Sequence, residues 1–332
     1  MKPFAFTRAS NSQTAIQAVI KDQAAKFIAG GTNLVDLMKE DVEQPNHLVD
    51  INRLALTRIE EHNGGLRLGA LARNSDTANH RLVRERFPLV SQAILSGASA
   101  QLRNAATNGG NLMQRTRCYY FYDVAMPCNK RQPGSGCGAL EGFNRMHAIL
   151  GASTQCIAVH PSDMCVALMA LDAVIQVEGP EGSRSIPFAE FHRLPGDTPQ
   201  LDTNLKHGEL ITAIDLPAAA SAFSAHSYYL KIRDRASYAF ALVSIAAALE
   251  VQNGTIKQAR LALGGVAHKP WRAPEAEAVL NGAPLNQETF RRAATAALKK
   301  AQGYKYNSFK VELGRRGIVR ALTIAAGEGR TA

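Results

Sequence analysis

The chain has 332 residues, 46% hydrophobic and 20% charged, which suits two or three domains with cores of their own. It holds no run of 18 apolar residues, which argues against a spanning helix, and residues 1–6 show neither an apolar h-region nor paired arginines, so no export signal of its own is expected. The net charge of +10 comes from scattered lysines and arginines, with no basic helix interleaved with aromatics. This argues against nucleic-acid binding and for a basic surface facing an acidic partner subunit or an anionic cofactor.

The opening reads as a βα unit. Asn11 or Ser12 caps a helix through Ala15, Ile16, Val19 and Ile20, apolar at helical spacing. Lys26-Phe27-Ile28-Ala29 is a short buried strand that runs into Gly30-Gly31-Thr32-Asn33, then a helix through Leu34, Leu37 and Met38. His47-Leu48-Val49-Asp50-Ile51 is another strand. From residue 55 the texture changes: Asn63-Gly64-Gly65 marks a hairpin between strands near 57–60 and 66–70. Two helices are expected near 75–85 and 88–97, then a Gly/Asn-rich loop at 102–111.

Residues 115–158 are rich in aromatics, proline and glycine, with little periodicity, so their order should depend on something besides a large core. Ser162 or Asp163 then caps an apolar helix through Ala170. Strands follow at 173–177 and 209–217, and the Ala/Ser stretch 218–225 resembles a linker. Beyond it, strands near 226–233, 240–251 and 256–264, with Asn253-Gly254 turning the last pair, precede helices near 274–281, 286–302 and 313–326. The fold class is therefore α+β, with a first domain over 1–220 (lobes about 1–55 and 56–220) and a second over 225–328.

Two loops carry phosphate chemistry. A phosphate needs backbone N–H donors at close range, and glycine removes the Cβ that would block the approach. Gly30-Gly31-Thr32-Asn33 lies between a strand and a helix, and Thr107-Asn108-Gly109-Gly110-Asn111 repeats its chemistry. Neither matches the GxGxxG or Walker pattern, and the first alone reads equally as a tight βα turn. As a pair they suggest one diphosphate gripped from two sides. Taken alone, Asp163 reads as a helix N-cap and Lys231 as a strand-surface lysine.

Four of the five cysteines, Cys118, Cys128, Cys137 and Cys156, fall within 39 positions, spaced x9, x8 and x18. In a chain this long, clustering points to a metal or cluster rather than disulfide staples. Four thiolates suit a [4Fe–4S] cluster or a tetrahedral zinc, although the CxxC pairs of most zinc sites are missing. Arg115, Arg117, Lys130 and Arg131 would offset the cluster's negative charge. Cys165, within the apolar Met164-Cys165-Val166-Ala167-Leu168, reads as a small buried hydrophobe.

Four motifs, in order along nearly the whole chain, resemble the FAD-binding medium subunit of the xanthine dehydrogenase and carbon monoxide dehydrogenase family. They are Lys26-Phe27-Ile28-Ala29-Gly30-Gly31-Thr32-Asn33-Leu34, Ala106-Thr107-Asn108-Gly109-Gly110-Asn111-Leu112, His160-Pro161-Ser162-Asp163-Met164 and Tyr229-Leu230-Lys231-Ile232-Arg233-Asp234-Arg235-Ala236. The cysteine stretch separates Asn111 from Ser162 by roughly 50 residues where much of the family has these motifs close together. It resembles the [4Fe–4S]-bearing insert of bacterial periplasmic aldehyde oxidoreductases and, more loosely, that of 4-hydroxybenzoyl-CoA reductases.

The resemblance implies a two-lobed FAD-binding domain of the PCMH type, and a C-terminal flavoprotein domain of three antiparallel strands with helices. It implies that residues 26–34 wrap the FAD diphosphate and ribityl chain, with Thr107, Gly110 and Asn111 on the other side. Ser162 and Asp163 would bond ribityl hydroxyls, Ile211 would line the flavin pocket, and Lys231 would lie near the isoalloxazine. Cys118, Cys128, Cys137 and Cys156 would ligate one [4Fe–4S] cluster. The implied partners are a large subunit that oxidises an aldehyde at molybdenum and a small subunit with two [2Fe–2S] clusters. Electrons would pass through FAD here to an external acceptor. The complex would be exported folded to the periplasm, or would stay in the cytoplasm. The rival readings are a self-contained flavin oxidase or reductase and a zinc- or cluster-binding scaffold.

Overall fold

The computed structural model describes residues 1–328, arranged as three sheets with helices packed between and against them. Strands β1 (Ala5–Arg8), β2 (Ala25–Ile28) and β3 (His47–Asp50) form a parallel sheet in the order β1-β3-β2. Parallel neighbours need crossover connections, and helices Ser12–Ile20 and Leu34–Lys39 provide them. Asn11 starts the first with a capping box: its side chain accepts from Thr14 N at 2.8 Å, and Thr14 Oγ1 accepts from Asn11 N. Ile28 pairs with Asp50, so the loop at 29–33 leaves from the carboxyl edge of the sheet, where open α/β sheets bind ligands.

The second sheet is antiparallel, in the order β4-β5-β8-β6-β7. Its strands are β4 (Ile59–His62), β5 (Gly65–Gly69), β6 (Val174–Gly179), β7 (Gly182–Pro187) and β8 (Leu210–Leu216). Asn63 and Gly64 both have positive φ, 49° and 74°, the type I′ geometry that Asn-Gly favours between twisted strands. Strand β7 was not legible in the sequence. It is an edge strand in which only Ile186 is buried, so it shows no alternation of apolar and polar residues.

The third sheet runs β12-β11-β10-β9, through β9 (Ser227–Ile232), β10 (Val243–Gln252), β11 (Thr255–Gly264) and β12 (Trp271–Arg272). The expected three antiparallel strands are present, and the two-residue β12 adds a fourth. Strand β10 is buried on both faces. Ile245, Ala247 and Leu249 face the helices Pro274–Leu280, Gln287–Ala297 and Phe309–Ala325, whereas Ala246 and Ala248 join the core of the first domain. Small side chains on that face let helix Asp163–Ala170 approach. All eight of its residues are buried, which explains an apolar pattern all round rather than on one stripe.

Three expectations change. The region near 75–85 forms two short helices, Asn74–Asn79 and Arg81–Arg86, split at extended His80, before helix Pro88–Ser96. The Ala/Ser stretch is not a loose linker: Ala218–Phe223 is a 3-10 helix that buries Ala220 and Phe223 in the first core. The cysteine stretch also folds partly by burial. Ile149 and Leu150 enter the C-terminal core, and their amides donate to Val266 O at 2.9 and 3.0 Å.

Candidate cofactor site

The two glycine loops line one groove, together with Ile211 on β8. Gly31 has φ 70°, in the left-handed region that favours glycine. A Cβ on Gly30 would lie 2.0 Å from Ala105 O, so the first loop packs directly on the backbone that leads into the second. Gly110 differs: its Cβ would meet only Thr107 Oγ1, at 3.0 Å, leaving an exposed cradle on the groove side. Thr107 caps the short helix Asn108–Leu112 through Gly110 N. Below it, Asn108 is fully buried, accepting from Asn74 and Thr77 and donating to Gly69 O.

The groove's acids are neutralised within the chain. Arg115 donates to Glu43 at 2.6 Å and to Asp202 at 2.8 Å. Lys26 pairs with Glu43, Lys130 with Asp202, and Arg184 with Glu209. Burial raises the Glu43 and Asp202 carboxyls, but Lys26 and Arg115 beside the first, and Lys130 and Arg115 beside the second, hold both below their ordinary values. Asn33 Oδ1 accepts from Arg115 N, while its Nδ2 is buried without a partner. The groove therefore offers loop amides and an orphan side-chain donor, and no carboxylate without a cation. That chemistry fits an anionic, elongated cofactor such as FAD.

Ser162 and Asp163 lie in a smaller cleft, with Thr116, Cys118, His147 and Phe240 on its walls. Ser162 is the helix cap, through Cys165 N, and its hydroxyl donates to Asn111 Oδ1 at 2.5 Å. Asn111 thus links the two cavities but lines neither; its amide nitrogen donates to Asn74. Lys231 stands behind Asp163, joined to it at 2.8 Å and to Ser96 O. Ile211 lines the groove, whereas Lys231 lines neither cavity and meets the cleft through Asp163.

Cys118, Cys128, Cys137 and Cys156 line a single small cavity. Cys128 and Cys137 oppose each other in an antiparallel bridge. Asn129 holds that hairpin: its Oδ1 accepts from Gly134 N and Gly136 N, and its Nδ2 donates to Gln155, next to Cys156. Gly134 and Gly136 have φ of 86° and 96°, which accounts for the glycines there. Burial pushes the Cys118 thiol up to about 12 and the Cys156 thiol to about 11, so thiolates at this cavity need a cation to hold them. Cys165 lies apart, buried beside His160 and His192.

The basic residues expected to offset a cluster have other partners. Arg115 and Lys130 pair with acids of the groove, and Arg117 pairs with Asp36. Arg131 donates to the carbonyls of Tyr120 and Phe121, knitting the loop. The acids lie many residues away in sequence, so no local pattern announces them. Glu43, Asp202 and His192 in the groove were missed for the same reason.

Residues 2–219 match the FAD binding domain in molybdopterin dehydrogenase, and residues 228–325 match the CO dehydrogenase flavoprotein C-terminal domain. The chain belongs to the FAD-binding medium subunits of the molybdenum hydroxylase family. This subunit is 50% identical to the aldehyde oxidoreductase FAD-binding subunit PaoB of Escherichia coli (strain K12), over 98% of this chain and 99% of that one. It is 29% identical to the glyceraldehyde dehydrogenase medium chain of Sulfolobus acidocaldarius, over 97% and 96%. The solved carbon monoxide dehydrogenase from Hydrogenophaga pseudoflava superposes with a TM-score of 0.77 at 25% identity, covering 98% of both chains. That from Oligotropha carboxidovorans, at 22% identity and TM-score 0.78, shares the fold. The medium subunit is thus part of an oxidoreductase, and no helix among its described residues is long and apolar enough to cross a membrane.

Proposed function

We propose that this subunit binds FAD and one [4Fe–4S] cluster and carries electrons within a molybdenum-dependent aldehyde oxidoreductase. The observation that carries the reading is the convergence of Cys118, Cys128, Cys137 and Cys156 on one cavity beside a groove formed by both glycine loops. The half-identical relative named as an aldehyde oxidoreductase subunit supports the substrate class. When bound, FAD supplies two-electron chemistry and one-electron exchange with iron–sulfur centres.

Residues 26–34, with Thr107 and Gly110, hold the diphosphate by backbone amides, and Asn33 Nδ2 gains a partner there. Ile211 packs against the part of the cofactor in the groove. Asn111, through Ser162, holds the second loop against the cleft, where Ser162 and Asp163 meet the ribityl end. Lys231 holds the Asp163 carboxylate in place through their contact, with Ser96 O as its second partner.

The spread of the four cysteines supports a cluster over zinc. Tetrahedral zinc holds thiolate sulfurs roughly 3.8 Å apart. Among the described residues, the grouping of ligand atoms that closes to within 4.8 Å is His160, Cys165 and His192, not the four cysteines. The partners are a large molybdenum subunit, which oxidises the aldehyde, and a small subunit with two [2Fe–2S] clusters; electrons leave to an external acceptor. The complex works in the periplasm after export in folded form. The test is co-purification, a visible spectrum and an iron, sulfide and flavin count on the complex. One FAD and four extra irons per medium subunit are expected. A colourless zinc protein, or flavin without extra iron, would overturn the cluster.

A further inference from the structure

Of the four cysteines, Cys118 alone lines both the cysteine cavity and the cleft that holds Ser162 and Asp163. His147 Nε2 lies 3.0 Å from Cys118 Sγ. The ring is 2% exposed, and it lines the cleft but not the cysteine cavity. The nitrogen therefore reaches the sulfur from the cleft, while the ring stays out of the cavity that the four cysteines line, the position of an outer hydrogen-bond donor rather than of a ligand.

The position of His147 is fixed by the C-terminal domain. Its carbonyl accepts from Lys310 Nζ at 2.8 Å and from Asn307 Nδ2 at 3.1 Å, and its amide donates to Asn144 O at 3.0 Å. Lys310 is fully buried and also reaches Gly265 O, so helix Phe309–Ala325 clamps the segment that carries the ring. Asn144 is held in turn, accepting from Tyr306 N. These bonds fix the backbone that carries the ring, and the residue is buried, so the ring nitrogen keeps its approach when the neighbouring sulfur changes charge.

We infer that His147 is a positioning residue that donates an N–H···S hydrogen bond to the Cys118 thiolate and so raises the reduction potential of the cluster proposed above. The inference rests on that reading of the four cysteines. A ligating thiolate has no proton, so the proton of the bond must sit on Nε2. Reduction adds negative charge to the cluster and its sulfurs. A donor at the sulfur favours the reduced state, which is how hydrogen bonds to sulfur set such potentials. The effect falls on the one cysteine that faces the proposed flavin end.

The test uses the assembled enzyme, with His147→Phe to remove the donor at similar volume and His147→Gln to keep an N–H. Iron and sulfide are counted, and the cluster midpoint is read by EPR-monitored titration. Full iron with a more negative midpoint in His147→Phe, and a midpoint nearer wild type in His147→Gln, is the expected result. Wild-type midpoints in both variants would overturn the inference, as would equal iron loss from both, since His147 would then hold the site rather than tune it. Pulsed EPR on wild type labelled with 15N-histidine decides the matter if the Phe variant fails to assemble. A histidine nitrogen coupled to the reduced cluster supports the bond, and no coupling refutes it. A wild type without any [4Fe–4S] signal is a separate result: it refutes the four-cysteine reading, and the tuning falls with it.

Discussion

Lys231 Nζ lies 2.8 Å from Asp163 Oδ2, and the two side chains are 4% and 8% exposed. Tyr229 donates to the other carboxylate oxygen at 2.7 Å, so both oxygens are satisfied. The pair ties β9 of the C-terminal domain to the first turn of helix Asp163–Ala170. Breaking one side of a buried pair leaves a charge without compensation, at a cost of about 3–5 kcal/mol. Asp163→Ala should therefore lower the thermal midpoint of the assembled enzyme strongly. Tyr229→Phe, which removes one donor, should cost about 1–3 kcal/mol. Asp163→Asn combined with Lys231→Met should be milder than Asp163→Ala. An Asp163→Ala enzyme as stable as wild type would show that the pair does not hold the domains together.

The two loop glycines separate folding from cofactor binding. Gly30→Ala would drive a methyl group to 2.0 Å from Ala105 O, a backbone atom that cannot yield, so that variant should misfold. A Cβ on Gly110 meets only Thr107 Oγ1, and Gly110 lines the groove, so Gly110→Val adds bulk at the groove wall. It should assemble with near-normal secondary structure and bind FAD at least about tenfold more weakly, which is about 1.4 kcal/mol. Flavin content after dilution and gel filtration reads the difference. Full occupancy in folded Gly110→Val would remove the second loop from the FAD site.

Much of this site is readable because its signals are local. Gly30, Gly31, Thr32 and Asn33 adjoin a strand and a helix within a dozen positions, and the cysteine spacing stands in one segment. The charge network is not readable in this way. Arg115 meets Glu43 and Asp202 across 72 and 87 positions, and Lys130 meets Asp202 across 72. Such pairs have no periodicity and arise only once the domains pack. Composition misleads at Ala218–Phe223, where alanine and serine suggest a tether but Ala220 and Phe223 are core. It misleads also at residues 149–150, where a stretch of little periodicity conceals two residues of the neighbouring core.

Acid should weaken the groove wall before it affects ordinary surface groups. Burial holds His192 and His268 down to about 4; Lys269 adds to this at His192, Lys130 at His268, and Asp202 opposes it at both. Burial likewise lowers His160, against which His192 packs at 4.4 Å between ring centroids. A histidine whose folded value is depressed binds more protons when unfolded. Stability is then full above about 6.5 and falls as pH drops toward 4. Asp202, held low by Lys130 and Arg115 despite its burial, extends the loss below pH 4. The thermal midpoint should decline between pH 6.5 and 4.5, and less steeply in His192→Asn once compared with its own value at pH 7.5. A flat wild-type profile over that window would show that these rings are not held neutral.

The cysteine assignment makes the sharpest distinction, because five thiols in one chain should behave in two ways. Cys118, Cys128, Cys137 and Cys156 meet at one cavity, two of them across a hairpin. Cys165 is fully buried in helix Asp163–Ala170, beside His160 and His192, and burial pushes its thiol up to about 12. A thiol held protonated in an apolar core is a poor ligand and acts as a small hydrophobe. Replacing any of the four by serine should lower iron and acid-labile sulfide and abolish the low-temperature EPR signal of the extra cluster. The hairpin between Cys128 and Cys137 should loosen as well, read as faster proteolysis near residues 131–136. Cys165→Ala should keep full iron and lose only about 1 kcal/mol of packing. Full iron in Cys137→Ser, or iron lost in Cys165→Ala, would overturn the ligand set. Zinc in place of iron in anaerobically purified wild type would overturn the cluster while leaving the convergence of the four thiols intact.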